Sequence, residues 1–134
     1  MLHLLLVHLI ANLVWIGSIA SVGLVLVVAP DPKVGGQIAH AVYRKLANPA
    51  FGISFLAALV LLVMNTQLYF VATKWMHAKL PIALGAIALH HVIGARARRM
   101  AEGKKTTAGP TGTLVLVLLL LAAVAAYLAR AKPF

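Results

Sequence analysis

The stretch TLVLVLLLLAAVAAYLA, residues 113–129, runs for seventeen residues without a charged side chain. A helix rises about 1.5 Å per residue, so the run spans roughly 25 Å and comes close to crossing the 30 Å hydrocarbon layer of a bilayer. Three further apolar runs lie upstream, over about 2–29, 47–72 and 75–95, the first closing at Pro30-Asp31-Pro32. In lipid an open backbone finds no hydrogen-bond partner, so each run is expected to be a helix. The fold class that follows is all-α, an integral membrane four-helix bundle forming one transmembrane domain over residues 1–134.

Composition agrees with that reading. Hydrophobic residues make up 63% of the chain, and only 2 of its 134 residues are acidic. The mean hydropathy of +0.99 is far above that of an ordinary water-soluble domain. The net charge of +10 does not indicate nucleic acid, because the basic residues gather between the apolar runs, as membrane-flanking segments require. There is no cysteine, which excludes disulfides, thiolate metal sites and covalent haem attachment through C-x-x-C-H. The N-terminal run lacks a basic leader and is longer than a signal-peptide core, so it reads as a retained helix.

Charge also sets an expected orientation. Lys33, Arg44 and Lys45 fall between the first two runs, and Arg96, Arg98, Arg99, Lys104 and Lys105 between the last two. The opposite side holds Lys74, Arg130, Lys132 and Lys79. The positive-inside rule then places both termini outside the cytoplasm.

Against this background the polar residues of the spans stand out, because ionisable groups inside a membrane are costly and usually functional. His8, Asn12 and Trp15 share one helix face. In the third run, Trp75-Met76-His77-Ala78-Lys79-Leu80 precedes His90-His91. Counting depth from the expected helix ends brings His8, His77, Lys79 and the triplet Asn65-Thr66-Gln67 to one level in the outer third. His90, eleven residues beyond Lys79, falls nearly on the same face about 16 Å deeper.

These residues resemble the HemJ-type protoporphyrinogen oxidases, small bacterial membrane proteins of four predicted helices. The resemblance is carried by His8 with Trp15 and Gly17, by Arg44-Lys45-Leu46 with Pro49, by Trp75 to Leu80 with His90-His91, and by Lys132-Pro133-Phe134. It implies an enzyme that oxidises protoporphyrinogen IX to protoporphyrin IX in the bacterial inner membrane, using non-covalent haem b and passing electrons to quinone or another respiratory-chain acceptor. By resemblance, His8 is the expected axial ligand, and the second ligand is His77 or Lys79, the lysine only once deprotonated. Asn12 and Trp15 are expected beside the cofactor. Arg44 is expected to hold porphyrin carboxylates through a bidentate fork. Lys79 is also expected to contact a propionate or the substrate, and His90 to relay protons. The alternative for Arg44 and Lys45 is an anchor beside anionic lipid, and for His90 a bond across helices. Small residues, Gly17, Ser18, Ser21 and Gly23 with Gly52 and Ser54, suit close helix contact and a homo-oligomer.

The chain departs from the family pattern at Val27-Val28-Ala29-Pro30, at Leu89 and at Thr107-Ala108-Gly109-Pro110-Thr111. A second expectation is therefore a non-enzymatic b-type cytochrome or haem-binding subunit of a larger membrane complex. A third is a copper-handling membrane protein of the CopD type, with His8, His77 and Met76 or Met64 as ligands.

Overall fold

The computed structural model describes residues 2–131, and among these it is helical with no strand. The terminal Lys132-Pro133-Phe134 motif lies outside the described residues. The elements are α1 (Leu2–Val28), α2 (Pro32–Val42), a π-helical segment (Tyr43–Ala47), α3 (Asn48–Met64), a π-helical turn (Gln67–Ala72), α4 (Trp75–Ala101) and α5 (Thr111–Ala131). Residues 32–64 form one continuous rod, so four helices are long and apolar enough to cross a membrane, as a multi-pass membrane protein requires. Their outward faces are apolar, with Leu13 76% and Val63 77% exposed, an arrangement suited to lipid rather than water.

Two of the expected boundaries change. The segment 32–46, expected as a loop, is helical. The Asp31 carboxylate accepts bonds from the Lys33 and Val34 amides at 2.9 and 3.3 Å, and Pro32 occupies the first turn, where its missing N–H is harmless. The third span also runs on to Ala101, so Arg96, Arg98 and Arg99 project from a helix rather than a loop. Arg96 donates from Nη1 to the Ala108 carbonyl at 3.0 Å. It thereby fastens the α4–α5 connection instead of lying in solvent. At the end of α4, Glu102 pairs with Arg98 and Lys104, each at 3.0 Å. The hydrogen bonds from Lys104 and then Arg98 hold its carboxyl below the usual range. Because the folded value is depressed, this attraction is complete above the ordinary carboxylate range and is lost as pH falls through the folded value.

Proline accounts for the break in the helical pattern of the rod. Pro49 has no N–H and its ring crowds the carbonyl of Lys45, four residues earlier, and the π-helical widening covers that turn. The rod packs along α1 through both halves; α2 lies close against α4, whereas α3 meets α4 only through side chains near its start, Asn48 and Phe51 against His90. α5 closes the bundle against α4 and α1. Beyond the His90 contact the backbones of α3 and α4 stay apart, each packed on α1. At the far end the turn between α3 and α4 brings Tyr69 edge-on to Trp75 at 5.7 Å.

The close approach of α2 and α4 depends on glycine. A Cβ at Gly36 would strike the backbone of Met100 and Ala101, and one at Gly94 would enter the Tyr43 ring. Gly94→Val is expected to destabilise the bundle by about 1–3 kcal/mol, the usual cost of overpacking. Its thermal midpoint in detergent would fall below that of a Gly52→Val control, since a Cβ at Gly52 meets nothing within 4 Å. Gly23 is likewise used within the chain, against Val115 of α5, whereas Gly17 faces open space.

Candidate functional site

Two polar layers cross the bundle. The first joins α1 to α3. The His8 Nδ1–H donates to the Ser54 carbonyl at 3.0 Å, with the Ser54 hydroxyl oxygen also 3.2 Å away. Its Nε2 accepts from the Asn12 amide at 3.2 Å, and the Ser54 hydroxyl donates to Asn12 Oδ1 at 2.6 Å. Bonding at Nδ1 fixes the ring as the tautomer whose Nε2 carries a lone pair. A backbone carbonyl on the distal nitrogen is also how proteins orient a histidine that binds metal. The lone pair is shared with a neutral side-chain amide, a partner that a stronger acceptor of electrons can displace.

Lys79 of α4 lies within electrostatic reach of His8. Its ammonium also sits over the Trp75 ring, 5.7 Å from the centroid, an attraction between cation and ring face. His77 is exposed, its Nε2–H donating to the Phe70 carbonyl at 3.1 Å. Of the two residues expected opposite His8, Lys79 is the one whose charge acts on it, and His77 is bonded to the turn.

The second layer lies about 10 Å farther along α1. Here the Trp15 indole N–H donates to His90 Nδ1 at 2.9 Å. Since indole can only donate, His90 Nδ1 must accept, and its Nε2–H donates to Asn48 Oδ1 at 3.2 Å. His90 is fully buried. It is packed against Phe51, His91, Tyr43 and Trp15, with ring centroids 4.7, 4.9, 5.0 and 5.7 Å away. One imidazole thereby ties α1, α3 and α4 together. This is the bond across helices, and it gives a proton relay no outlet through Trp15, because an indole N–H cannot accept a proton. The bond also commits Trp15 to the core, where the ring is buried.

Other expected members are dispersed. Arg44 is exposed in a groove with His40 and Lys45, ten residues and roughly 15 Å along the rod from Ser54. The triplet Asn65-Thr66-Gln67 is not level with His8. Ser54 takes that place, while Asn65 and Thr66 bond back to Leu61 and Leu62 of their own helix. Ser54 and Asn48, which complete the two layers, were not expected. A lone serine in an apolar run carries little signal, but Asn48 stands immediately before a proline where the rod changes pitch. Among the described residues there is no cluster of three or more His, Asp or Glu side chains that could hold a metal ion. Comparison of the chain with protein-family models, curated proteins and solved structures gives no match.

Proposed function

We propose that the chain is a haem b-containing oxidase of the bacterial inner membrane that converts protoporphyrinogen IX to protoporphyrin IX. The observation carrying this reading is the half-buried His8 imidazole, pinned at Nδ1 by the Ser54 carbonyl within an apolar, membrane-spanning helix pair. The donor set fits haem better than a bare metal ion. A porphyrin supplies four nitrogens itself and asks the protein for one or two axial ligands, and His8 is a ready one. Lys79, whose charge acts on His8, is the second group assigned to the site, as a ligand when deprotonated or as a cation for a propionate. Asn12 must release Nε2, and its bond to Ser54 gives the amide a place to stay once it has done so.

Bound haem would supply one-electron redox chemistry between the tetrapyrrole and quinone or another respiratory-chain acceptor. The remaining tasks fall to the protein. A flat, hydrophobic tetrapyrrole would enter from the bilayer between α3 and α4, whose backbones stay apart there, with Lys79 attracting its carboxylates. Oxidation removes six electrons and six protons; His8 and Lys79 are the titratable groups proposed to take the protons, since the Nδ1 lone pair of His90 is held by Trp15. The basic residues at the other end of the bundle support an orientation with both termini outside the cytoplasm, through the positive-inside rule. A homo-oligomer would use the open Gly17 and Gly52 faces.

The test is an absorption spectrum of protein purified from cells supplied with iron. Reduced Soret and α bands of a b-type haem, followed by protoporphyrinogen turnover with a quinone, are expected. Haem bands without turnover would make the protein a b-type cytochrome or haem-binding subunit, the reading favoured by the departures at Val27-Val28-Ala29-Pro30 and Leu89. Stoichiometric copper without haem would favour the CopD-type reading.

A further inference from the structure

At the basic end of the bundle the chain cannot neutralise itself. It contains two acidic residues in all, and both are already engaged: Asp31 caps α2, and Glu102 is shared between Arg98 and Lys104. Arg99, on the last turns of α4, has no ion pair among the described residues. It lines a groove of about 410 Å³ together with Arg98, Lys104, His40, Tyr43 and His91. His40 forms the wall between this groove and the one that holds Arg44 and Lys45. Its ring stacks on Tyr43 at 6.5 Å, and its Nδ1 is buried without a hydrogen-bond partner. Such an atom is costly to leave unmet, and rotation about χ2 would present it to the groove.

The groove opens where the apolar part of α4 ends and its basic turn begins, the level at which a spanning helix meets the lipid headgroups. It offers three cations and hydrogen-bond donors on ring nitrogens and a phenol, against a single carboxylate already shared by two of those cations. A phosphate group meets those requirements, having only acceptor oxygens and a full negative charge. Basic pockets between helices at this depth are suited to lipid headgroups. We propose that this groove binds the phosphate of an anionic phospholipid headgroup, held by Arg99, Lys104 and His40, and that the lipid supplies the counter-charge missing from the sequence. The site lies at the opposite end from His8 and does not depend on haem.

The experiment is native mass spectrometry of the full chain released from phosphatidylcholine nanodiscs with and without phosphatidylglycerol. Wild-type protein is expected to retain phosphatidylglycerol selectively. Arg99→Gln should lower that retention about fivefold, the effect of one basic side chain near an anionic surface, and His40→Phe should lower it as well. Lys33→Gln, which removes an exposed charge outside the groove, should have little effect. Equal losses in Arg99→Gln and Lys33→Gln would reduce the effect to diffuse attraction and overturn the site. Displacement of the lipid by millimolar inorganic phosphate would assign the groove to a soluble phosphate ester and overturn the lipid assignment.

Discussion

His90→Ala is expected to be the most destabilising single change in the protein, costing about 4 kcal/mol or more. Emptying a fully buried ring site costs roughly 3–5 kcal/mol when neighbours cannot collapse into it. Leaving the Trp15 indole N–H without its 2.9 Å acceptor adds about 1–3 kcal/mol. The two losses overlap, so they are not summed. In practice the purified variant should unfold at a much lower temperature and lose the fluorescence signature of a buried Trp15. His90→Asn should fall between the two proteins, because its amide oxygen can still accept from the indole while the bond to Asn48 is lost. A His90→Ala protein of unchanged stability that had lost only turnover would return the residue to a role in proton transfer.

The same pair of layers shows what could be read from the sequence and what could not. His8 and Asn12 were legible because a spacing of four on a helix survives any error in where the helix begins. Depth across helices did not survive such errors. A second span over 47–72 puts Asn65-Thr66-Gln67 at the level of His8, whereas the rod runs from Pro32 to Met64 and presents Ser54 there. The signal for the true start was present in Pro30-Asp31-Pro32, a capping carboxylate followed by a first-turn proline. It was outweighed by the polar, glycine-containing character of residues 33–45. That segment is helical because Gly36 and Gly94 let α2 lie against α4, a tertiary reason absent from local sequence. The role of Arg96 was hidden in the same way: nothing near it in the chain indicates that its partner is the carbonyl of Ala108.

His8→Ala is expected to abolish haem binding while leaving the bundle intact, and this contrast with His90 separates site from scaffold. His8 is only half-buried, near one end of α1, and its partners Asn12 and Ser54 can bond to each other without it. Its loss should therefore change helical content and membrane insertion little, and the reduced Soret and α bands should disappear. The fold also ranks the candidates opposite it. Lys79→Met keeps the length of the side chain but removes its charge and its nitrogen donor, and should weaken haem retention on the order of tenfold or more, as loss of a group supporting a metal centre does. His77→Ala should retain the spectrum, because that ring is exposed and bonded to Phe70. The measurement is a titration of haem into each purified variant, read at the Soret band, with circular dichroism on the same samples. If His77→Ala lost the bands and Lys79→Met kept them, the cofactor would sit against the α3–α4 turn rather than beside His8 and Lys79. If His8→Ala kept them, the axial assignment would fall, and the His8–Asn12–Ser54 layer would be a structural bond like the one at His90.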